Sequence, residues 1–203
     1  MTIPVFDIES LDWSKSPDGL LPAIVQDAGT LRVLMLGYVN RESLARTLES
    51  GHVTFFSRSR NALWTKGESS GHFLDLVSLE ADCDNDTLLV MARPHGPTCH
   101  LGRASCFPDA RGDVLAELDR LIATRASKRP EGSYTTKLFE GGVRRIAQKV
   151  GEEGVETALA AVAQGDSELL GESADLLYHL LVLLRSRGLG LADALAVLEQ
   201  RGS

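Results

Sequence analysis

Two kinds of hydrophobic pattern follow one another along the chain, and the change between them divides it. From Leu20 to Tyr38 the extended runs LLPAIVQD and LRVLMLGY flank an Ala-Gly turn, which predicts a β-hairpin. Asn40 stands as an N-cap before RESLARTLES, where Leu44 and Leu48 fall four apart, and Gly51 ends that helix. HVTFFS returns to the β-branched and aromatic residues of a strand. HFLDLVSLEADC then alternates apolar and polar positions, turns at Asp84-Asn85-Asp86 and comes back as TLLVMAR, a second hairpin. The intervening stretch 57–72, SRSRNALWTKGESSGH, reads as a loop.

Beyond Pro108 the period lengthens. Val114, Leu115, Leu118, Leu121 and Ile122 mark one helical face, and SKRPEGS is a polar break. A helix is predicted from Lys137 to about Ala163 with an interruption at Gly141-Gly142, a second from Ser167 to Arg187, and a shorter one from Leu191 to Gln200. The expected architecture has two domains: an N-terminal β-rich α+β domain over residues 1–110 and a C-terminal all-α domain over 111–203. Composition agrees with this division, because eight of the eleven aromatic residues precede position 111.

Charge narrows the function. The 21 basic and 28 acidic residues give a net charge of −7. Both parts are acidic, with 9 basic against 14 acidic residues up to position 110 and 12 against 14 after it, so neither resembles a nucleic-acid footprint. The opening MTIPVFDIES has neither a basic n-region nor an apolar h-region, and the apolar stretch from Leu176 to Leu184 is too short to span a bilayer, so a cytoplasmic protein is expected. Three cysteines are too few and odd in number for a disulfide scaffold, which leaves thiols available to a metal.

Those cysteines carry the first candidate site. Cys83, Cys99 and Cys106 fall within 24 residues and could form a three-thiolate zinc site with an open fourth position, where bound water ionises near pH ~7. Asp82, Asp84 and Asp86 surround Cys83, and three clustered carboxylates suit a hard cation such as magnesium. If strand geometry persists to Asp84, Asp82 and Asp84 share one face and Cys83 takes the other. The zinc nucleobase deaminases are excluded, since no His-x-Glu exists and six residues separate Cys99 from Cys106. Arg58 and Arg60, on one face if extended, can bind phosphate together with Lys66, and Trp64 can cover a base. His72 and His100 are candidate general bases.

The helical part carries a second set. Glu152, Glu153 and Glu156 lie in KVGEEGVETALAAVA, and Glu172 and Asp175 in ELLGESADLLYHLLVLL. Positions 153 and 156, like 172 and 175, are neighbours on a helix face. Side-by-side helices would bring four or five acids together, which bound cations make tolerable, with Glu153 as the candidate catalytic carboxylate. Lys137 and Lys149 can neutralise developing charge or simply be solvated, and Ser133, Tyr134 and Thr135 lie in a loop suited to phosphate contact.

Across residues 15–110, Asp82-Cys83-Asp84-x-Asp86, TCHLGRASCF and SRSRNALWTKGESSGH together resemble the phosphoribosyl-AMP cyclohydrolases. That resemblance implies zinc at Cys83, Cys99 and Cys106, magnesium at Asp82, Asp84 and Asp86, and a homodimer whose zinc ligands come from both subunits. It also implies opening of the adenine ring at N1–C6 by zinc-activated water. Glu153-x-x-Glu156 with Glu172-x-x-Asp175 resembles the all-α MazG-like nucleoside-triphosphate pyrophosphohydrolases. RPEGSYTTKLFEGG and KVGEE narrow this to the phosphoribosyl-ATP pyrophosphatases over 112–190, with magnesium on the carboxylates and pyrophosphate as product. The fused order is similar to the bifunctional enzymes of histidine biosynthesis. Taken alone, the residues reach metal-dependent hydrolysis of a phosphorylated purine nucleotide. A general nucleoside-triphosphate pyrophosphohydrolase with a structural zinc module, or a non-enzymatic nucleotide sensor, remain open on that ground.

Overall fold

The computed structural model describes residues 6–202, so the opening MTIPV of the leader reading lies outside the described residues. The chain separates into two compact units between Asp113 and Val114. The sequence pattern had put the change at 110/111.

The first unit is built on a four-stranded sheet in the order β2 (Val33–Val39), β1 (Leu21–Asp27), β6 (Leu88–Pro94) and β5 (Leu74–Ala81). Strands β1 and β2 form the first expected hairpin, and β5 and β6 the second. The two hairpins join through a parallel β1–β6 pairing that no local pattern announces. Along β1 burial alternates strictly, so Leu21, Ala23 and Val25 enter the core, where Leu34, Leu74, Leu88, Val90 and Phe55 meet them. Each fully buried Leu or Phe of this set contributes roughly 1.5–3 kcal/mol. Helix α1 (Arg41–Ser50) begins at a capping box of Asn40 and Ser43 and stops at Gly51, as its residues suggest.

One element departs from expectation. The stretch taken as loop contains β4 (Ala62–Thr65), which pairs antiparallel with β3 (Thr54–Ser57) in a separate two-stranded sheet. Phe55 opposite Trp64, with ring centroids 5.1 Å apart, and the Thr54–Thr65 hydroxyl contact hold the pair. The run Ala-Leu-Trp-Thr was too short for its alternation to be read without its partner.

The second unit is helical throughout its described residues. Its elements are α2 (Val114–Lys128), α3 (Tyr134–Glu140), α4 (Gly142–Ala163), α5 (Asp166–Ser186) and α6 (Leu191–Gly202). The expected interruption at Gly141-Gly142 is real, with Gly142 at φ +77°. The helix before it starts earlier than Lys137, because the Ser133 hydroxyl caps Thr136 N–H. Tyr134 and Thr135 therefore sit in the first turn of α3, not in a loop. Ile122, Leu138, Ile146, Leu181 and Val182 form the core. On α4, Val155, Leu159 and Val162 make an exposed stripe, and Leu170, Leu177 and Leu180 another on α5.

Candidate active sites

In the first unit a cleft of about 540 Å³ is lined by Arg60, Trp64, Lys66, His72, Cys99, His100 and Cys106 among others. The β3–β4 hairpin and the turn that follows it present Trp64 and Lys66. That turn needs Gly67, at φ +97°, where a Cβ would lie 2.5 Å from the backbone of His72 and Phe73. Lys66 Nζ donates to the His72 carbonyl at 3.2 Å, and burial lowers its pKa from the ordinary lysine value.

Cys99 and Cys106 reach the cleft from a segment tied to β2. Cys106 N–H donates to the Leu34 carbonyl at 2.8 Å and the Ser105 hydroxyl to that of Val33 at 2.7 Å. A tight turn puts the Leu101 N–H against the Cys99 sulfur and lowers that thiol's pKa, with Arg103 adding to the effect against the opposing cost of burial. Burial raises Cys106, and the neighbouring Cys99 raises it further. Cys83 is exposed, does not line this cleft, and forms no metal-ligand cluster with the other two thiols among the described residues.

The Asp82, Asp84 and Asp86 carboxylates do converge, each offering an oxygen within 4.8 Å of the others. Strand geometry is not the reason, because β5 ends at Ala81 and residues 82–87 turn. Asp82 Oδ1 accepts from Asp86 N–H at 3.0 Å and Thr87 N–H at 3.1 Å, which curls the loop around its own acids. Lys15 Nζ lies on this cluster, 2.8 Å from Asp84 and 3.1 Å from Asp86, and holds Asp86 below the usual carboxylate range. No feature of the sequence pairs Lys15 with residues seventy positions away. Arg58 lies apart from the cleft, its guanidinium 3.7 Å over the Tyr38 ring.

In the second unit a cleft of about 550 Å³ is lined by Arg125, Tyr134, Lys149, Glu153, Asp175, Tyr178 and His179. Carboxylate oxygens of Glu153, Glu156 and Glu172 lie within 4.8 Å of one another across α4 and α5. Burial raises the pKa of Glu156, and the charges of Glu153 and Glu172 raise it further, a repulsion that a cation would relieve. Lys149 bridges Glu152 at 2.9 Å and Glu153 at 3.0 Å. Glu152 is turned toward Gln148 and Lys149 and stands outside the three-carboxylate group. Asp175 lines the cleft without joining that group, and Lys137 is exposed and lines nothing there. Arg125, Tyr178 and His179 were missed by sequence reasoning. Only His179 had a signal, one turn beyond Asp175 on the acidic face.

The family model for phosphoribosyl-AMP cyclohydrolase matches residues 35–108, and that for phosphoribosyl-ATP pyrophosphohydrolase matches residues 115–202. The chain is 72% identical over 194 residues to the histidine biosynthesis bifunctional protein HisIE of Xanthomonas campestris pv. campestris, covering 96% of this chain and 94% of the relative. The chain belongs to the HisIE family. The protein of that name from Escherichia coli strain K12 is 58% identical over 193 residues, covering 94% and 95% of the two chains, and that from Xylella fastidiosa strain Temecula1 is 69% identical over 194, covering 96% and 94%. The two structural units thus correspond to two enzyme domains of histidine biosynthesis, the β-rich cyclohydrolase and the helical pyrophosphohydrolase. No helix among the described residues is long and apolar enough to cross a membrane.

Proposed function

We propose that the helical domain converts phosphoribosyl-ATP to phosphoribosyl-AMP and pyrophosphate on magnesium, and that the β-rich domain then opens the adenine ring at N1–C6 on zinc, in a cytoplasmic homodimer. The observation that carries the zinc and dimer assignments is the separation of the thiols: Cys99 and Cys106 lie together in the cleft, while Cys83 stands exposed elsewhere. Two thiols leave the metal short of ligands, and Cys83 of a second copy is the donor that makes up the set. The exposed apolar stripes on α4 and α5 are a further surface for that copy to cover.

The residues present fit both metals. Cys99 is biased toward the thiolate that zinc requires, and the Asp82, Asp84, Asp86 and Glu153, Glu156, Glu172 groups are oxygen sets of the kind magnesium takes, with Asp175 beside the second. Bound zinc would supply Lewis acidity that eases deprotonation of water, and bound magnesium would offset phosphate charge. The protein does the rest. His72 and His100 line the cleft where a proton must be taken up, Arg60 and Lys66 offer cations to the substrate's phosphates, and Trp64 offers an apolar face to the base. In the helical domain Lys149 fixes Glu153 and sets a positive charge beside the carboxylates.

The direct test incubates metal-replete protein with phosphoribosyl-ATP and follows pyrophosphate release and the ultraviolet change of ring opening in one sample. Both signals in that order support the reading. Pyrophosphate alone would reduce the cysteine site to structure. After chelation, zinc should restore ring opening of phosphoribosyl-AMP supplied directly, whereas pyrophosphate release from phosphoribosyl-ATP should return only with magnesium.

A further inference from the structure

His179 is a buried, chemically capable group that the proposed metal chemistry leaves unused, only 3% exposed in the middle of α5. Its Nδ1 lies 2.9 Å from the Asp175 main-chain carbonyl and 3.5 Å from Glu153 Oε1. A carbonyl and a carboxylate only accept, so Nδ1 carries the ring hydrogen. In the neutral ring Nε2 is then a lone pair, and its partner is the Tyr134 hydroxyl at 3.0 Å. With the ring neutral, that hydroxyl is the donor. The imidazole cannot readily turn to reverse this polarity, because Tyr134 and Tyr178 both pack edge-on against it, with centroids 6.0 and 5.1 Å away. Tyr178 is itself held by a 2.8 Å contact to the Thr135 hydroxyl, which also accepts from Arg125 at 3.2 Å.

A tyrosine hydroxyl has one proton. With that proton committed to His179, Tyr134 Oη offers only lone pairs to the cleft it lines with Lys149, Glu153 and Asp175. Such an oxygen repels phosphate oxygens, which also only accept, and attracts a donor. The geometry points to His179 as a positioning residue that fixes Tyr134 as an acceptor, and to Tyr134 as the group that accepts a hydrogen bond from a ribose hydroxyl or ring amine of the substrate. The triphosphate is thereby directed away from Tyr134, toward Lys149 and the cation that the carboxylates would hold. This rests on the helical cleft being the phosphoribosyl-ATP site.

Three measurements on the full chain test it. Nitrogen-15 shifts of the His179 ring, taken at about pH 8 where an ordinary imidazole is neutral, should show a protonated Nδ1 and a bare Nε2. Assignment follows from loss of the signal in His179→Gln. The opposite tautomer, or two protonated nitrogens, overturns the proposal. Tyr134→Phe, which keeps the ring of a half-exposed residue, should raise the KM for phosphoribosyl-ATP about 5- to 10-fold, the loss of one hydrogen bond, with the effect on KM and not on kcat. An unchanged KM overturns it. His179→Asn keeps a donor near the Asp175 carbonyl but no longer reaches Tyr134. It should raise KM similarly, and the double variant should be no worse than either single one. Additive effects would leave His179 a packing residue and overturn its positioning role. Should His179→Asn not fold, the ring shifts and Tyr134→Phe decide the matter. Failure of the underlying assignment looks different, since the wild-type chain would then release no pyrophosphate from phosphoribosyl-ATP.

Discussion

The two catalytic domains assemble their chemistry by different routes. In the helical domain Glu153 and Glu156 are one turn apart on α4 and Glu172 faces them from α5, so neighbouring helices of one chain complete a three-carboxylate group. In the β-rich domain the aspartates converge inside a single six-residue turn, but Cys83 in that same turn is separated from Cys99 and Cys106. A helix repeats its face every three to four residues and so makes a site by local spacing. Thiols on separate loops have no such rule, and their convergence depends on what else packs there.

The largest effects should separate the two domains. Cys99→Ser is expected to lower ring opening by about 100-fold or more while pyrophosphate release stays within about twofold, and Glu153→Gln to do the reverse, with ring opening assayed on phosphoribosyl-AMP supplied directly. Loss of both activities in either folded variant would break the separation. Next comes subunit sharing. Cys83→Ser and Cys99→Ser should each lack ring opening alone, yet after mixing and exchange recover about a quarter of wild-type activity, since half the dimers are mixed and each holds one intact site of two. No recovery would return the zinc site to a single chain.

Smaller effects sharpen the comparison. Lys15, half exposed, competes with any cation for Asp84 and Asp86. Lys15→Met should tighten magnesium binding there about two- to fivefold, as for a surface ion pair, in the part of a calorimetric titration that Asp84→Asn removes. The smallest effect concerns pH. In metal-free protein lacking Cys83, ultraviolet titration should show the Cys99 thiolate forming below the ordinary thiol value of about 9, and that of Cys106 above it. The signs follow from linkage. Cys99, depressed in the fold, contributes stability above its unfolded value that is lost as pH falls through its folded value, whereas Cys106, raised in the fold, stabilises below its unfolded value and loses that contribution as pH rises. Coincident midpoints would remove the Leu101 amide as the cause.

Much of this was legible in residue order because it is local. The β1–β2 and β5–β6 hairpins, the Asn40 cap, the Gly51 stop and the helix break at Gly141-Gly142 each follow from a few adjacent residues. The acid pairs were visible for the same reason. Strand β4 was not, since four residues carry too little alternation until Phe55 stands opposite Trp64. Nor could Ser133 be told from a phosphate-binding hydroxyl before the first turn of α3 was seen to begin at Tyr134.

The sequence by itself determined the two-part architecture, the family motifs and the residue types that hold the chemistry, because periodicity and spacing act over a few residues. Only the tertiary structure decided that Glu152 turns to Lys149 while Glu153 enters the cleft, that Arg58 stacks on Tyr38, that Lys15 rests on the aspartates, and that the Tyr134 hydroxyl meets Nε2 of His179. Each of these is a choice among several partners, settled by burial and hydrogen-bond satisfaction between side chains on different segments of the fold, which residue order does not encode locally.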